Sequence, residues 1–372
     1  MKVLQTCLSL SWGGLEMYTL HTAKLLIGAG HQTEILTYNG SRLAAEALKE
    51  GIVCRTVSRK PVNLPGIYKM ASLFKNNNYD IIHAEASKDL WYVVPALRLA
   101  LCRAPLLLTK HVGSGISKKD IFHRMLYSRV NMALAISGVI KRNLAETTPL
   151  PVEKIELLHD SIDTFRFDPA KTDKNMVRNE FGIKEEELVI GMTGRFSPGK
   201  GHEEFLYAAN ELAKIHPDIR FMIVGEASRG EEEYADSIKK MAYDYGLKDK
   251  IIFTGFRKDI PEVLAAMDIY LFPSHAEAFG LALVEAMSME RPTVCSNSDG
   301  VLDIAVEGVT SFLFNAGSGE DLFNKTGMLV KDFQKRIDFG KEGRKRVLKM
   351  FSAEIFTGRL TALYSKALVN NK

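Results

Sequence analysis

From Lys2 onward, short apolar runs of strand length alternate with helical patterns, and after a break the alternation begins again at Leu188. Strands separated by whole helices do not pair as tight hairpins; they build parallel sheets with helices on both faces. In the first half, Lys2–Leu10, Gln32–Tyr38, Ile52–Val57, Tyr79–Ala84, Pro105–His111, Met132–Ser137 and Lys154–His159 read as strands. Helical patterns follow Gly14 as far as Gly30, and cover Leu64–Lys75, Leu90–Leu101, Lys118–Arg129 and Gly138–Glu146. In the second half, Leu188–Gly194, Arg220–Gly225, Ile251–Phe256, Asp268–Phe272 and Pro292–Ser296 read as strands. Helices are expected over His202–Ile215, Glu231–Tyr245, Ile260–Met267, from near Phe279, over Lys331–Lys349, and from an N-cap at Ser352 to Leu368. In that last helix Phe356, Leu360, Leu363, Tyr364 and Ala367 share one face. A length of 372 residues suits two α/β domains, and the charged, poorly apolar stretch Lys171–Glu187 reads as the linker between them.

Ligands of such sheets bind beyond the carboxyl ends of the strands, so the residues at those ends carry the functional reading. Gly13-Gly14 follows the first strand as a tight turn into a helix, but the dinucleotide pattern G-x-G-x-x-G is absent, which argues against a dehydrogenase. His83 and His111 end two further strands, and the flexible Val112-Gly113-Ser114-Gly115 after His111 points to a substrate-contacting loop. The run Gly194-Arg195-Phe196-Ser197-Pro198-Gly199-Lys200-Gly201 places two cations and an accessible backbone ahead of a helix, a pocket for a diphosphate. Its spacing is not that of a P-loop. The backbone of Gly255-Phe256-Arg257-Lys258 is placed to face a base. Finally, Glu277 and Glu285 flank Phe279-Gly280-Leu281, where a helix begins. First-turn amides and the helix dipole hold an anion there, and two carboxylates beside it hold hydroxyls, a combination that suits a nucleotide-sugar.

Composition narrows the setting. A hydrophobic fraction of 46% with 25% charged residues is that of a soluble globular protein. Cys7, Cys54, Cys102 and Cys295 have no metal-binding or redox spacing and read as free thiols of a reducing compartment. The short N-terminal apolar run lacks the length of a secretory leader and no stretch reaches a membrane span, so a cytoplasmic protein is expected. Residues 1–165 carry 20 Lys and Arg against 13 Asp and Glu, while the remainder is mildly acidic. With no nucleic-acid motif, the basic half suits a phosphate-bearing acceptor or the inner face of an anionic membrane, touched peripherally. The basic, amphipathic helix Lys118–Arg129, with Ser117 as its cap and Ile121, Met125 and Leu126 on one side, fits either a membrane surface or, more commonly, packing on the sheet.

Taken in order, Gly13-Gly14-x-Glu16, His111, Ser137, the run Asp163…Phe167…Pro169, Gly194-Arg195…Lys200-Gly201 and Glu277-x7-Glu285 with Phe279-Gly280 cover almost the whole chain. The set resembles glycosyltransferase family 4, the retaining group 1 glycosyl transferases with the GT-B fold. That resemblance implies two Rossmann-like domains with parallel sheets facing across a cleft. The acceptor-side domain would span 1–168, joined by the crossover helix 352–372, and the donor domain 187–351. It implies that Arg195 and Lys200 neutralise the donor diphosphate and that Gly14 and Gly194 let backbone close on it. Glu285 would hold the ribose, and Glu277 the transferred sugar with Phe279, Gly280 and Leu281. Arg257 would lie on the donor side, His111 near the sugar, and Glu16 and His83 toward the acceptor. Lys and Arg would replace a metal, so no metal or other cofactor is expected.

The sequence departs from the family at Asp160-Ser161 (often Asn-Gly), at Asp299-Gly300 (commonly Gly-Gly) and at Val112 (frequently acidic). The expected activity is transfer of a hexose-type sugar from a UDP-sugar, or a GDP-sugar, to a hydroxyl of a glycan or glycolipid, as in cell-surface polysaccharide or lipopolysaccharide assembly. Two alternatives share the residues: a nucleotide-sugar epimerase or hydrolase on the same fold, and a non-catalytic nucleotide- or carbohydrate-binding protein. Sugar, linkage and oligomeric state are not encoded in these motifs.

Overall fold

A computed structural model describes residues 1–58 and 64–371. It divides into two compact units: Met1–His159 with Glu354–Lys372, and Asp160–Ala353. In the first unit seven strands, β1 (Lys2–Thr6), β2 (Gln32–Tyr38), β3 (Val53–Val57), β4 (Ile81–Ala84), β5 (Leu106–Lys110), β6 (Val130–Ala135) and β7 (Ile155–Leu157), form one parallel sheet. Their order is β3-β2-β1-β4-β5-β6-β7. The second unit repeats the plan with β8 (Leu188–Thr193), β9 (Ile219–Val224), β10 (Ile251–Phe253), β11 (Ile269–Phe272), β12 (Thr293–Ser296) and β13 (Ser311–Phe314) in the order β10-β9-β8-β11-β12-β13. Both are Rossmann-like sheets with helices between the strands. The strand order reverses between β1 and β4, and between β8 and β11, and those switch points open toward the loops that carry the candidate residues.

Most strands are buried along their length because both sheet faces are covered, the edge strand β3 excepted. In the first unit Val3, Ile81, Leu107, Met132 and Leu134 pack with Phe356, Leu360, Tyr364 and Ala367 of the closing helix Ala353–Val369. The face read from sequence is therefore the buried one, with Leu363 at its margin. In the second unit Ile190, Ile223, Ile269 and Val294 pack against Phe205, Leu206 and Leu212 of the helix His202–Ile215.

Several elements differ from the sequence reading. The helices Arg42–Lys49 and Gly319–Lys331 and the strand β13 have no counterpart in it. The helix expected over Lys331–Lys349 is present as Phe333–Met350, set off from the preceding helix at Asp332, whose carboxylate accepts from Lys335 N and caps it. The charged stretch 171–187 holds the helix Lys174–Glu180 and belongs to the second unit. Arg178 stitches it there. Its buried guanidinium donates to the Ala266, Lys184 and Glu187 carbonyls at 3.1, 2.9 and 2.5 Å.

His83 joins the closing helix to the sheet. It lies fully buried in β4, with Nδ1 2.7 Å from Tyr364 Oη and Nε2 2.7 Å from Thr109 Oγ1. Burial lowers its basicity, and both nitrogens have hydrogen-bond partners. Tyr364→Phe strands a buried ring nitrogen and should cost about 1–3 kcal/mol of unfolding free energy in urea titrations. An unchanged midpoint would show that this bond does not anchor the helix.

Candidate active site

In the second unit the loops after β8, β9 and β11 interlock through positions that exclude a side chain. Gly225 has φ +140°, and a Cβ there would lie 1.9 Å from the Gly194 carbonyl oxygen. Gly201 has φ +79°, and its Cβ would lie 2.3 Å from the Pro273 carbonyl oxygen. The Gly194–Gly201 loop thus rests on the start of the Pro273–Gly280 loop, and His275 N donates to the Gly199 carbonyl at 2.9 Å.

Between these loops lies a pocket of about 230 Å³, lined among others by Thr193, Gly194, Arg195, Lys200, Glu277 and Leu281. Lys200 Nζ donates to Glu277 Oε1 at 2.5 Å, and both side chains are half-buried. Arg195 is exposed at the rim and donates to Ser228 Oγ at 3.1 Å. The helix Leu281–Ser288 begins at Gly280, whose φ of +117° disfavours any other residue and which brings no side-chain oxygen to the first turn. One turn further in, Glu285 is half-buried and makes no side-chain hydrogen bond among the described residues. Burial pushes its carboxyl up to about 7, against a smaller lowering by Arg166. Beside it Tyr270, fully buried, is hydrogen-bonded to Thr193 Oγ1 at 2.8 Å.

The Glu277 loop is clamped from behind. Gly300 N donates to the Glu277 carbonyl at 3.0 Å, and a Cβ on Gly300 would lie 2.5 Å from the Ala278 carbonyl oxygen. Asp299 has φ +47°, the left-handed conformation a glycine takes freely and an aspartate tolerates. The Asp299-Gly300 departure therefore preserves the turn.

In the first unit His111 follows β5, its Nε2 3.3 Å from Glu85 Oε2 and its ring 4.4 Å from that of Tyr18. Glu85 is fully buried and accepts from Gln5 Nε2 at 2.9 Å. Burial alone raises its carboxyl, but His83, His111 and Gln5 together outweigh that and hold it below the usual carboxylate range. Asp89, also buried, accepts from Leu8 N at 3.1 Å, and burial pushes its carboxyl up to about 7. Sequence reasoning missed Glu85 and Asp89. The available signal was a carboxylate directly past a strand end and another one helical turn later.

Three expected site residues have other partners in the fold. His83 is buried, with both nitrogens hydrogen-bonded within the first unit. Glu16 is buried too, and its carboxylate accepts from Gly13 N at 2.9 Å, closing the first turn of its own helix Gly14–Gly28. Arg257 is not among the pocket residues. Its guanidinium is bidentate to Glu180 at 2.6 and 2.9 Å and bound to both oxygens of Asp259, so its side chain is engaged by two carboxylates. The Gly255 carbonyl accepts from Gly225 N at 3.0 Å, and Phe256 stands exposed. Gly14 is exposed at the start of its helix, with open space where a side chain would be. Among the described residues no group of His, Cys, Asp and Glu could hold a metal ion, and no helix is long and apolar enough to cross a membrane.

Two family models match. Residues 12–166 match Glycosyltransferase Family 4, and residues 173–346 match Glycosyl transferases group 1. The chain is 25% identical over 238 residues to a capsular polysaccharide biosynthesis glycosyltransferase, CapM, of Staphylococcus aureus, covering 63% of this chain and 61% of that one. It is 25% identical over 332 residues to an Escherichia coli UDP-Gal:alpha-D-GlcNAc-diphosphoundecaprenol alpha-1,3-galactosyltransferase, covering 86% and 83% of the two chains. Among solved structures, Anabaena HepE in complex with UDP and glucose superposes with a TM-score of 0.83 at 22% identity, over 98% of this chain and 99% of that one.

The Glu285 environment fixes a sign. A carboxyl raised by folding favours the protonated form, so its ionisation removes stability as pH rises from the unfolded value toward about 7, and the loss is complete above. Glu285→Gln is therefore expected to raise the melting temperature at pH 8 and to leave it nearly unchanged at pH 5. A variant that melts lower at pH 8 would contradict the burial argument.

Proposed function

The chain belongs to glycosyltransferase family 4, the group 1 glycosyl transferases, and from that premise we propose a retaining transfer of a sugar from a nucleotide diphosphate donor, preferentially a UDP-sugar, to a hydroxyl of a glycan or lipid-carried glycan acceptor. The observation that carries the reading is the convergence of Arg195, Lys200 and Glu277 on one pocket at the β8–β11 switch point, with Glu285 one helical turn away. The UDP preference draws support from the names of the galactosyltransferase and of the HepE complex.

In this reading the two donor phosphates lie against the Gly194–Gly201 loop, where Lys200 and Arg195 neutralise them. Glu277 uses one carboxylate oxygen to hold Lys200 at the pocket and offers the other to sugar hydroxyls. The acceptor oxygen bonds to the anomeric carbon on the face the diphosphate leaves. The anomeric C–O bond breaks with its electron pair on the diphosphate, and the acceptor proton passes to that diphosphate oxygen. Charge builds on the leaving group as the sugar becomes oxocarbenium-like, and that is the charge two nearby cations stabilise. They take the part a metal plays in other transferases, so transfer is expected to survive a chelator. His111, held by Glu85, is assigned to the sugar.

Glu285 accepts from the ribose hydroxyls as a carboxylate. Nucleotide binding then favours its ionised form and releases a proton near neutrality, so affinity falls as pH drops below about 7. Calorimetric titration with UDP and with GDP, with no metal added, tests this: one nucleotide binds, and its affinity follows pH in the wild type more steeply than in Glu285→Gln. If neither nucleotide binds, the donor assignment is wrong.

Lys200→Ala should lower kcat about a hundredfold, the usual cost of removing a group that stabilises transition-state charge. UDP release from the donor in the presence of acceptor measures it, and near-wild-type turnover would remove Lys200 from the leaving-group role.

A further inference from the structure

We propose that the segment from Val112 to Met125 of the first unit is a docking surface for an anionic lipid bilayer. The surface rests on its own chemistry; only its use, presenting a lipid-carried acceptor beside His111, rests on the proposed transfer.

Packing on the sheet was the commoner expectation for this segment, and the structure inverts it. The helix is short, Ile121–Tyr127, capped by Asp120 rather than Ser117, and only Leu126 and Tyr127 turn inward. Ile121 is 76% exposed and Phe122 61%, with Met125 on the same face. Ile116, 75% exposed, and Val112 extend the apolar surface along the preceding stretch. Exposed Trp91 of the helix Leu90–Leu99 lies alongside, its ring 5.5 Å from that of His123. Soluble chains do not usually leave this much contiguous apolar surface without a partner.

The charges around it name the partner. Lys88, Lys118 and Lys119 surround the apolar residues, and none of them makes an ion pair among the described residues. Asp120, the acid within the segment, is hydrogen-bonded to the amides of Phe122 and His123 and to the His123 ring, and Asp89 beside Lys88 is buried. Lys110 stands close to Lys118 with no carboxylate between them; burial and that second ammonium push it down to about 8. Two lysines crowded without a counter-anion are relieved by a phosphate. Aliphatic and aromatic side chains ringed by unpaired lysines match an interface of acyl chains under anionic headgroups. A second copy of the chain is disfavoured, because a two-fold contact through this face sets the same lysines against one another.

The test is vesicle flotation of the full chain. Wild type should float with phosphatidylcholine vesicles containing one-third phosphatidylglycerol, stay behind with pure phosphatidylcholine, and be released by salt. Paired Ile121→Glu and Phe122→Glu substitutions should lower partitioning at least about tenfold. So should paired Lys118→Glu and Lys119→Glu, since each basic residue at such a surface is worth about fivefold. Ile121, Phe122 and Lys119 are exposed and Lys118 half-buried, and both variants should melt like wild type and bind UDP unchanged. A wild type that ignores anionic vesicles, or an apolar-pair variant that floats as well as wild type, overturns the proposal. A concentration-dependent dimer dispersed by the same substitutions overturns it in favour of self-association. Failure of the donor reading would appear separately, as absent UDP binding by a protein that still floats.

Discussion

Two backbone crossings with no room for a side chain hold the second unit's pocket in shape. Gly201 lies against the Pro273 carbonyl and Gly300 beneath Ala278. One crossing sits next to Lys200 and the other next to Glu277, so the chain is fixed at both ends of the ion pair. A half-buried pair of this kind adds little to stability, because desolvation and side-chain ordering offset most of its attraction. Its consequence is placement: the ammonium is held at the pocket rather than left to sweep through solvent. Any added Cβ at these glycines would move the loops before it touched a ligand.

The two carboxylates of the pocket show how environment divides one chemistry into two. Glu277 has a lysine partner, while Glu285, one turn into the helix, has burial and only the weaker pull of Arg166. A carboxyl with no partner in a half-buried site is a standing cost to the folded chain at neutral pH. Such a cost is what a group awaiting hydroxyl donors carries, and it marks Glu285 more clearly than its position in the sequence does.

The first unit is ordered by a different device, a buried polar seam. Gln5, Glu85, His83, His111, Thr109 and Tyr364 are linked by hydrogen bonds across β1, β4, β5 and the closing helix. Apolar packing of Phe356, Leu360 and Tyr364 brings that helix to the sheet, and the hydrogen bond to His83 fixes its register. The seam also separates the two strand-end histidines. His83 is spent on structure, whereas His111 keeps one ring nitrogen clear of Glu85.

Periodicity was enough to place the strands of both sheets except β13 (Ser311–Phe314), and the buried face of the last helix was legible apart from Leu363 at its margin. Glycine and charge patterns located the phosphate loop and the Glu277–Glu285 helix, because close backbone approach and anion binding demand particular residue types at fixed offsets. What the sequence could not decide is which way a polar side chain turns. Glu16, His83 and Arg257 each sit at a strand end or loop that suits a ligand, yet a nearby amide, two buried hydroxyls and two carboxylates claim them. The partners of His83 lie 26 and 281 positions away and Glu180 lies 77 from Arg257, so only the tertiary fold brings those within hydrogen-bond range, whereas Gly13 and Asp259 are local. The exposed Ile121 and Phe122 carry the same lesson: amphipathicity shows that a helix has an apolar face, and only the packing around it decides whether that face is covered.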